Sequence, residues 1–172
     1  MTALFILDQY RGRKNIVGSD NNEKLGEHGY VKDITRSGSN IYSNSGMLLE
    51  VMIVKATASL SSPAGKGIVF ESGGLGKNVA AFSASGGKCD GIVDPDLTGN
   101  LSSGDTFLIF RKGPMNVIAS GAISANAPIK PDNSGKFQAA TTESVPVRCG
   151  RANAAASNDG DVIRALVDFT AA

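Results

Sequence analysis

One pattern of short segments occurs twice in the chain, about sixty residues apart, and it limits the fold more than any other feature. The first copy reads Ser62-Pro63-Ala64-Gly65-Lys66-Gly67-Ile68-Val69-Phe70, then Gly91-Ile92-Val93-Asp94, then Ser103-Gly104-Asp105-Thr106-Phe107-Leu108. The second reads Ser124-Ala125-Asn126-Ala127-Pro128-Ile129-Lys130-Pro131, then Gly150-Arg151-Ala152-Asn153, then Asp159-Gly160-Asp161-Val162-Ile163-Arg164. Each copy closes on a Gly-Asp turn that opens an apolar strand. Gly91, Gly104, Asp105, Gly150, Gly160 and Asp161 are therefore expected as structural turn residues, with Gly104 and Gly160 where a Cβ is poorly tolerated.

Strands are expected at Met47–Thr57, Gly67–Phe70, Asn78–Phe82, Gly91–Val93, Asp105–Arg111, Met115–Ala119, Lys136–Ala139, Val145–Cys149 and Val162–Phe169. In the last, Ile163, Ala165, Val167 and Phe169 face one way, and Arg164 and Asp168 the other. Ser72-Gly73-Gly74, Ser85-Gly86-Gly87, Lys112-Gly113-Pro114, Asp132-Asn133-Ser134-Gly135 and Asn158-Asp159-Gly160 read as turns between them. Short strands at regular spacing give an all-β barrel or sandwich. Ala152 to Ser157 is long enough for one helical turn, not for a helix that stands alone.

Residues 8–46 have a different texture. Gly, Ser, Asn and Asp recur, all three tyrosines fall here, and apolar residues come singly. Such a stretch buries too little surface to offset its ordering entropy. The expected organisation is an extended N-terminal arm over 1–46 and a β-rich body over 47–172. Residues from Leu4 to Ile41 are expected to lack fixed structure of their own and to be ordered along other chains. Tyr10, Ile16, Val17, Tyr30, Ile41 and Tyr42 are the candidate partner contacts, each able to fill one small pocket.

The 172 residues suffice for one domain core. Lys and Arg number 17 against 16 Asp and Glu, interspersed, so no basic face invites nucleic acid. No stretch approaches the about twenty apolar residues that span a bilayer, and no membrane partner is expected. Met1 to Leu7 lacks the basic flank of a signal peptide, which points to synthesis in a cytoplasm. There the two cysteines are expected to be reduced, as small apolar packing residues, with a disulfide as the alternative.

Each catalytic constellation lacks a residue. Ser72-Gly73-Gly74-Leu75-Gly76-Lys77 suggests a phosphate loop, but Glu71 stands where the motif needs Gly and Asn78 where it needs Ser or Thr. Asp90, Asp94 and Asp96 lack the downstream acidic ligand of a calcium loop and read as a solvated turn. His28 is the only histidine, between Glu27 and Gly29, where nothing would hold a general base. One histidine and two distant cysteines give no chelating pair for a metal. No catalytic, cofactor-binding or metal site is expected, and the chain is read as a non-enzyme.

From Ala58 to Phe169 the order of motifs resembles the head decoration (cement) proteins of tailed bacteriophages, the capsid-cement family related to the lambda head decoration protein. Ala64-Gly65-Lys66-Gly67, Gly91-Ile92-Val93 and Ser103-Gly104-Asp105 carry the resemblance in the first copy. Val117-Ile118-Ala119-Ser120-Gly121-Ala122-Ile123, Pro131-Asp132-Asn133-Ser134-Gly135-Lys136, Gly150-Arg151-Ala152 and Asp159-Gly160-Asp161-Val162-Ile163-Arg164 carry it in the second. The arm with its three tyrosines has no match there. The resemblance implies a compact β-tulip or barrel-like body that assembles, commonly as homotrimers at threefold or quasi-threefold sites, on the outer capsid surface. Its partner would be the major capsid protein, whose neighbouring subunits it clamps, with the arm reaching over them. It would be made in the host cytoplasm and carried on the virion. A phage tail or fibre component or another virion β protein is the alternative. A bacterial carbohydrate-binding or adhesin module fits less well, since the body has no Trp or Tyr for sugar stacking.

Overall fold

The structure, a computed structural model, describes residues 10–16, 25–26, 28–37, 40–72, 78–81, 89–140 and 149–169. Among the described residues ten strands form one all-β sheet: β1 His28–Ser37, β2 Asn40–Ala56, β3 Gly67–Phe70, β4 Asn78–Ala81, β5 Gly91–Val93, β6 Thr106–Ser120, β7 Pro128–Pro131, β8 Phe137–Ala139, β9 Gly150–Ala152 and β10 Asp159–Asp168.

The pairings close the sheet on itself twice. β2 pairs with β4, β4 with β3, β3 with β5, β5 with β6, and β6 returns to β2. In the second circuit β6 pairs with β8, β8 with β7, β7 with β9, β9 with β10, and β10 returns to β6. Two barrel-like rings thus share β6, whose first half ends one ring and whose second half begins the other. Closure removes the free edges that an open sheet of short strands would leave.

The sequence repeat is this duplication. The 4-to-3, 3-to-5 and 5-to-6 pairings of the first ring recur as 8-to-7, 7-to-9 and 9-to-10 in the second, and the one parallel pairing recurs too, Ala56 with Val79 and Ala119 with Phe137. Hydrogen bonds outside the strands match as well. Leu60 and Leu101 exchange two backbone bonds, as do Ile123 and Ala156. Gly65 donates to Val93 and Asn126 to Ala152, and both donors have positive φ, 71° and 67°.

Each ring is filled by one face of its strands. Met52, Val54, Ile68, Val79, Val93, Phe107 and Ile109 fill the first, together with Leu60 and Leu101. Met115, Val117, Ile129, Phe137, Ala152, Ile163 and Ala165 fill the second and belong to the larger cluster. Leu49, Val51, Ile53, Leu108 and Phe110, on the outer face of the first ring, are also buried in that larger cluster. β2 is therefore apolar on both faces, whereas β10 alternates.

Several expectations are corrected. Lys112-Gly113-Pro114 is not a turn: β6 runs through it. A bulge lies opposite Glu50 and Val51, and a Cβ on Gly113 would come 2.6 Å from Leu49 Cδ2. A φ of 120° within the strand, not a chain reversal, is what asks for glycine there. Ala152 to Ser157 forms no helical turn, since Ala152 ends β9 and Ala156 bridges to Ile123. β7 and β9 were not anticipated; both are short and fully paired, too brief for a periodicity signal. Of the expected strand Val145–Cys149, only Cys149 lies within the described residues, just before β9.

The arm is corrected too. His28–Ser37 is a strand of this chain, antiparallel to β2, so that stretch has structure without a partner chain. The boundary expected after residue 46 falls inside β2. The segment does not stand alone: it pairs along β2, which offsets its ordering entropy.

Candidate interaction surface

Residues 10–16 lie against the first ring. Lys14 bridges to Phe107, and Ile16 N–H donates to the Thr106 carbonyl at 3.3 Å. Gly12 N–H donates to Asp94 Oδ2 at 2.6 Å, and Arg11 Nη2 pairs with Asp96 Oδ2 at 2.6 Å. The Arg11 guanidinium also stands over the Phe110 ring, 5.5 Å from its centroid, a favourable cation–π distance. Further along, Leu25 is buried in the core cluster and Gly26 N–H donates to the Ile53 carbonyl at 2.8 Å.

The Asp94-Pro95-Asp96 turn is therefore not the solvated turn expected. Asp94 is buried, its Oδ1 accepting from Asp96 N–H at 3.0 Å while Oδ2 takes Gly12. Burial pushes its carboxyl above the ordinary carboxylate range, against the two backbone donors and the Arg11 charge. Asp90, nearby in sequence, accepts from Phe70 N–H at 2.8 Å. These carboxylates fasten the chain to itself. Among the described residues no three His, Cys, Asp or Glu side chains gather as a metal site would need.

Of the candidate partner contacts, Tyr10 and Ile16 are half-buried and pack on this chain's own core cluster. Tyr30, on β1 opposite Glu50, is exposed. Ile41 and Tyr42 belong to β2, and Val17 lies outside the described residues.

The turn residues divide. Gly104 and Gly160 have φ of 93° and 89°, in open space, so backbone conformation alone selects glycine. The Asp105 carboxylate accepts from Ser102 N–H at 2.8 Å. Asp161 accepts from Ser157 and Asn158 N–H, both at 2.8 Å, and those bonds hold its carboxyl below the ordinary range. Gly91 and Gly150, in contrast, are strand residues opening β5 and β9. They are required by contact: a Cβ on Gly150 would collide with the Leu166 carbonyl oxygen, and one on Gly91 would sit 3.0 Å from Ile109 Cδ1. Cys89 and Cys149 are both buried and are not joined in a disulfide. Burial, with Cys149 beside it, raises the Cys89 thiol well above its ordinary value.

What the sequence reading missed is on the second ring. Val162 and Leu166 are exposed apolar residues on the outer face of β10, two positions either side of Arg164. The signal was present: both are out of phase with the inward set Ile163, Ala165 and Val167.

No protein-family profile matches the chain, and no curated protein matches it in sequence. A solved structure, the head fiber gp8.5 N base of bacteriophage phi29, is similar in fold. It is 14% identical, covering 69% of this chain and 93% of that one, with a TM-score of 0.52.

Proposed function

We propose that this chain is a structural protein of a bacteriophage virion, carried on the outside of the head. The observation that carries the reading is the likeness of its paired-ring fold to a phage head fiber base over nearly all of that base. The finer reading is a decoration protein that binds the major capsid protein and clamps neighbouring subunits. A rigid closed β scaffold held by backbone pairing suits that task, and no activity is needed for it. Attachment as a homotrimer at threefold or quasi-threefold positions follows the symmetry of such shells, because one weak contact repeated by symmetry becomes strong. The chain would be made in the host cytoplasm, would bind neither nucleic acid nor membrane, and would not be an enzyme. A base for a longer head fibre is the second reading, favoured by the same likeness.

The test uses heads of the parent phage stripped of this chain. Added full-length protein is expected to bind at a saturating, fixed ratio to the major capsid protein. It should also raise the temperature at which the heads come apart, because a ligand of the assembled shell alone shifts the equilibrium toward it. Binding to tails in place of heads, or to neither, would overturn the reading.

A further inference from the structure

Two thiols meet where the rings touch. At the start of β3 the first copy crosses the second ring: Gly67 N–H donates to the Gly135 carbonyl at 2.7 Å, and Ile118 N–H donates to the Gly65 carbonyl at 3.3 Å. Cys89 Sγ lies against this crossing, since a Cβ on Gly67 would come 2.9 Å from it and 3.6 Å from Pro131 Cβ of the second ring. The Cys149 side chain reaches the same place, and the two thiols are in hydrogen-bond contact. Both residues are 4% exposed and belong to one core cluster.

Each cysteine is fixed by its own ring. Cys89 leads into β5, where Asp90 N–H donates to the Ile68 carbonyl at 2.9 Å and the Cys89 thiol donates to the Gly91 carbonyl at 3.3 Å. Cys149 leads into β9, its N–H donating to the Ile129 carbonyl and its carbonyl accepting from Asp168 N–H, both at 3.0 Å. The two are not counterparts in the duplication. Ile68 pairs with Gly91 as Ile129 pairs with Gly150, so the place of Cys149 is held in the first ring by Asp90. The meeting of the thiols is therefore not a by-product of the repeat. One buried cysteine serves as a small apolar residue and asks for no more. Two in contact, each anchored by backbone bonds, stand one oxidation away from a covalent link.

We propose that Cys89 and Cys149 form a modification site, at which a peroxide oxidises the two thiols to a disulfide that locks the two rings together. The Cys149 sulfur attacks one peroxide oxygen, the O–O bond breaks, and a sulfenic acid and one water result. The Cys89 sulfur then attacks that sulfur, the S–O bond breaks, and the Cys89 proton leaves with the hydroxide as a second water. Two thiols give up two electrons and two protons, and one hydrogen peroxide becomes two waters. Burial keeps the Cys89 thiol protonated, which suits it to the second step and not the first. In a reducing cytoplasm the site holds two thiols, and outside it the bond forms. That timing rests on the functional reading above; the bond itself does not.

Full-length protein, purified with reductant and then freed of it, is treated with hydrogen peroxide under native conditions. Thiols this buried are reached through local opening, so the reaction is followed over hours. The chain is expected to lose the mass of two hydrogen atoms, to remain a single chain on a non-reducing gel, and to yield one linked pair of peptides holding Cys89 and Cys149. Closing the chain from 89 to 149 into a loop restricts the unfolded state and should raise the melting temperature by about 10 °C. Dithiothreitol should reverse both changes, and Cys149→Ser should show neither. If that variant does not fold, the reductant-reversible shift of the wild type carries the test. Sulfinic acid without a link, a link between two chains, or thiols that react only after unfolding would each overturn the proposal. A linked pair with an unchanged melting temperature would overturn the locking of the rings. None of these outcomes bears on the functional reading, which binding to heads decides.

Discussion

Asp94 in the first ring and Asn153 in the second hold the same place, each donating its backbone N–H to the strand opposite, at 3.1 Å and 2.8 Å. Asp94 is buried against residues 10–16, while Asn153 is exposed. The same divergence runs across the whole outer face, where Ile53, Leu108 and Phe110 are answered by Asn116, Arg164 and Leu166. Inside the rings the character is kept, with Met52 and Val54 answered by Met115 and Val117. Backbone pairing and the filled interior specify the ring. The outer face is free to follow whatever covers it, and in one ring that cover belongs to the same chain.

The largest effect expected from this comparison is a difference between equivalent positions. Phe110→Ala removes a ring buried beneath Arg11 and should cost about 3–5 kcal/mol of stability, the usual range for a buried Phe. Leu166→Ala, at the matching position of the second ring, removes a half-exposed side chain and should cost under about 1 kcal/mol. Denaturant midpoints at constant m-value measure both. Similar losses would mean that the second face is covered in the free protein and that the two rings are not as different as described.

A smaller effect tests where the rings are alike. Gly91 and Gly150 are partners in the duplication, each opening the short central strand of its ring. Alanine at Gly150 would drive its Cβ into the Leu166 carbonyl oxygen and to 2.8 Å from Val167 Cα, backbone atoms that cannot move without β10. At Gly91 the nearest atoms are the end of the Ile109 side chain at 3.0 Å and the Phe110 carbonyl oxygen at 3.2 Å, a milder conflict. Gly150→Ala is expected to cost about 3 kcal/mol and Gly91→Ala about 1, the two ends of the overpacking range. The reverse order, read from the same midpoints, would show that β9 shifts more readily than β5 does.

How much of this was legible follows from the physics of each part. The Gly-Asp turns and the alternation of β10 stood in the sequence, because turn chemistry and a half-buried strand both act locally. The duplication was legible for the same reason, since each copy must meet the same turns in the same order. The sharing of β6 was not, because Gly113-Pro114 carries the signature of a turn, while β6 runs on through it beside a bulge, with Gly113 at a φ of 120°. The burial of Asp94 was invisible too: its partner Gly12 lies 82 residues away, in a stretch whose composition suggested no structure. Val162 and Leu166 stood out only once the covered face of the first ring gave them something to be compared with.

The smallest effect expected concerns protons, and it separates the rings by pH. Asp94 has its folded-state pKa above the ordinary 3.8, chiefly through burial, so the folded protein holds that proton where the unfolded chain has released it. Its contribution to stability is full below 3.8 and is lost as pH rises through the folded value. Asp161, in the second ring, is shifted the other way by the N–H groups of Asn158 and Ser157. Its contribution is present above 3.8 and is lost as pH falls through its own folded value. On acidification from neutral pH the first ring's carboxyl therefore adds stability before the second ring's removes it. Asp94→Asn should flatten the upper limb of stability against pH relative to wild type and leave the lower limb alone, whereas Asp161→Asn should do the converse. The absolute level of Asp94→Asn will also drop, because an amide turns an N–H toward Gly12 or Asp96 where the carboxylate accepted from both. The slope, not the level, is thus the readout. Upper limbs that run parallel in Asp94→Asn and wild type would mean that Asp94 is not held against solvent by residues 10–16, and the contrast between a covered and an uncovered ring would lose its electrostatic half.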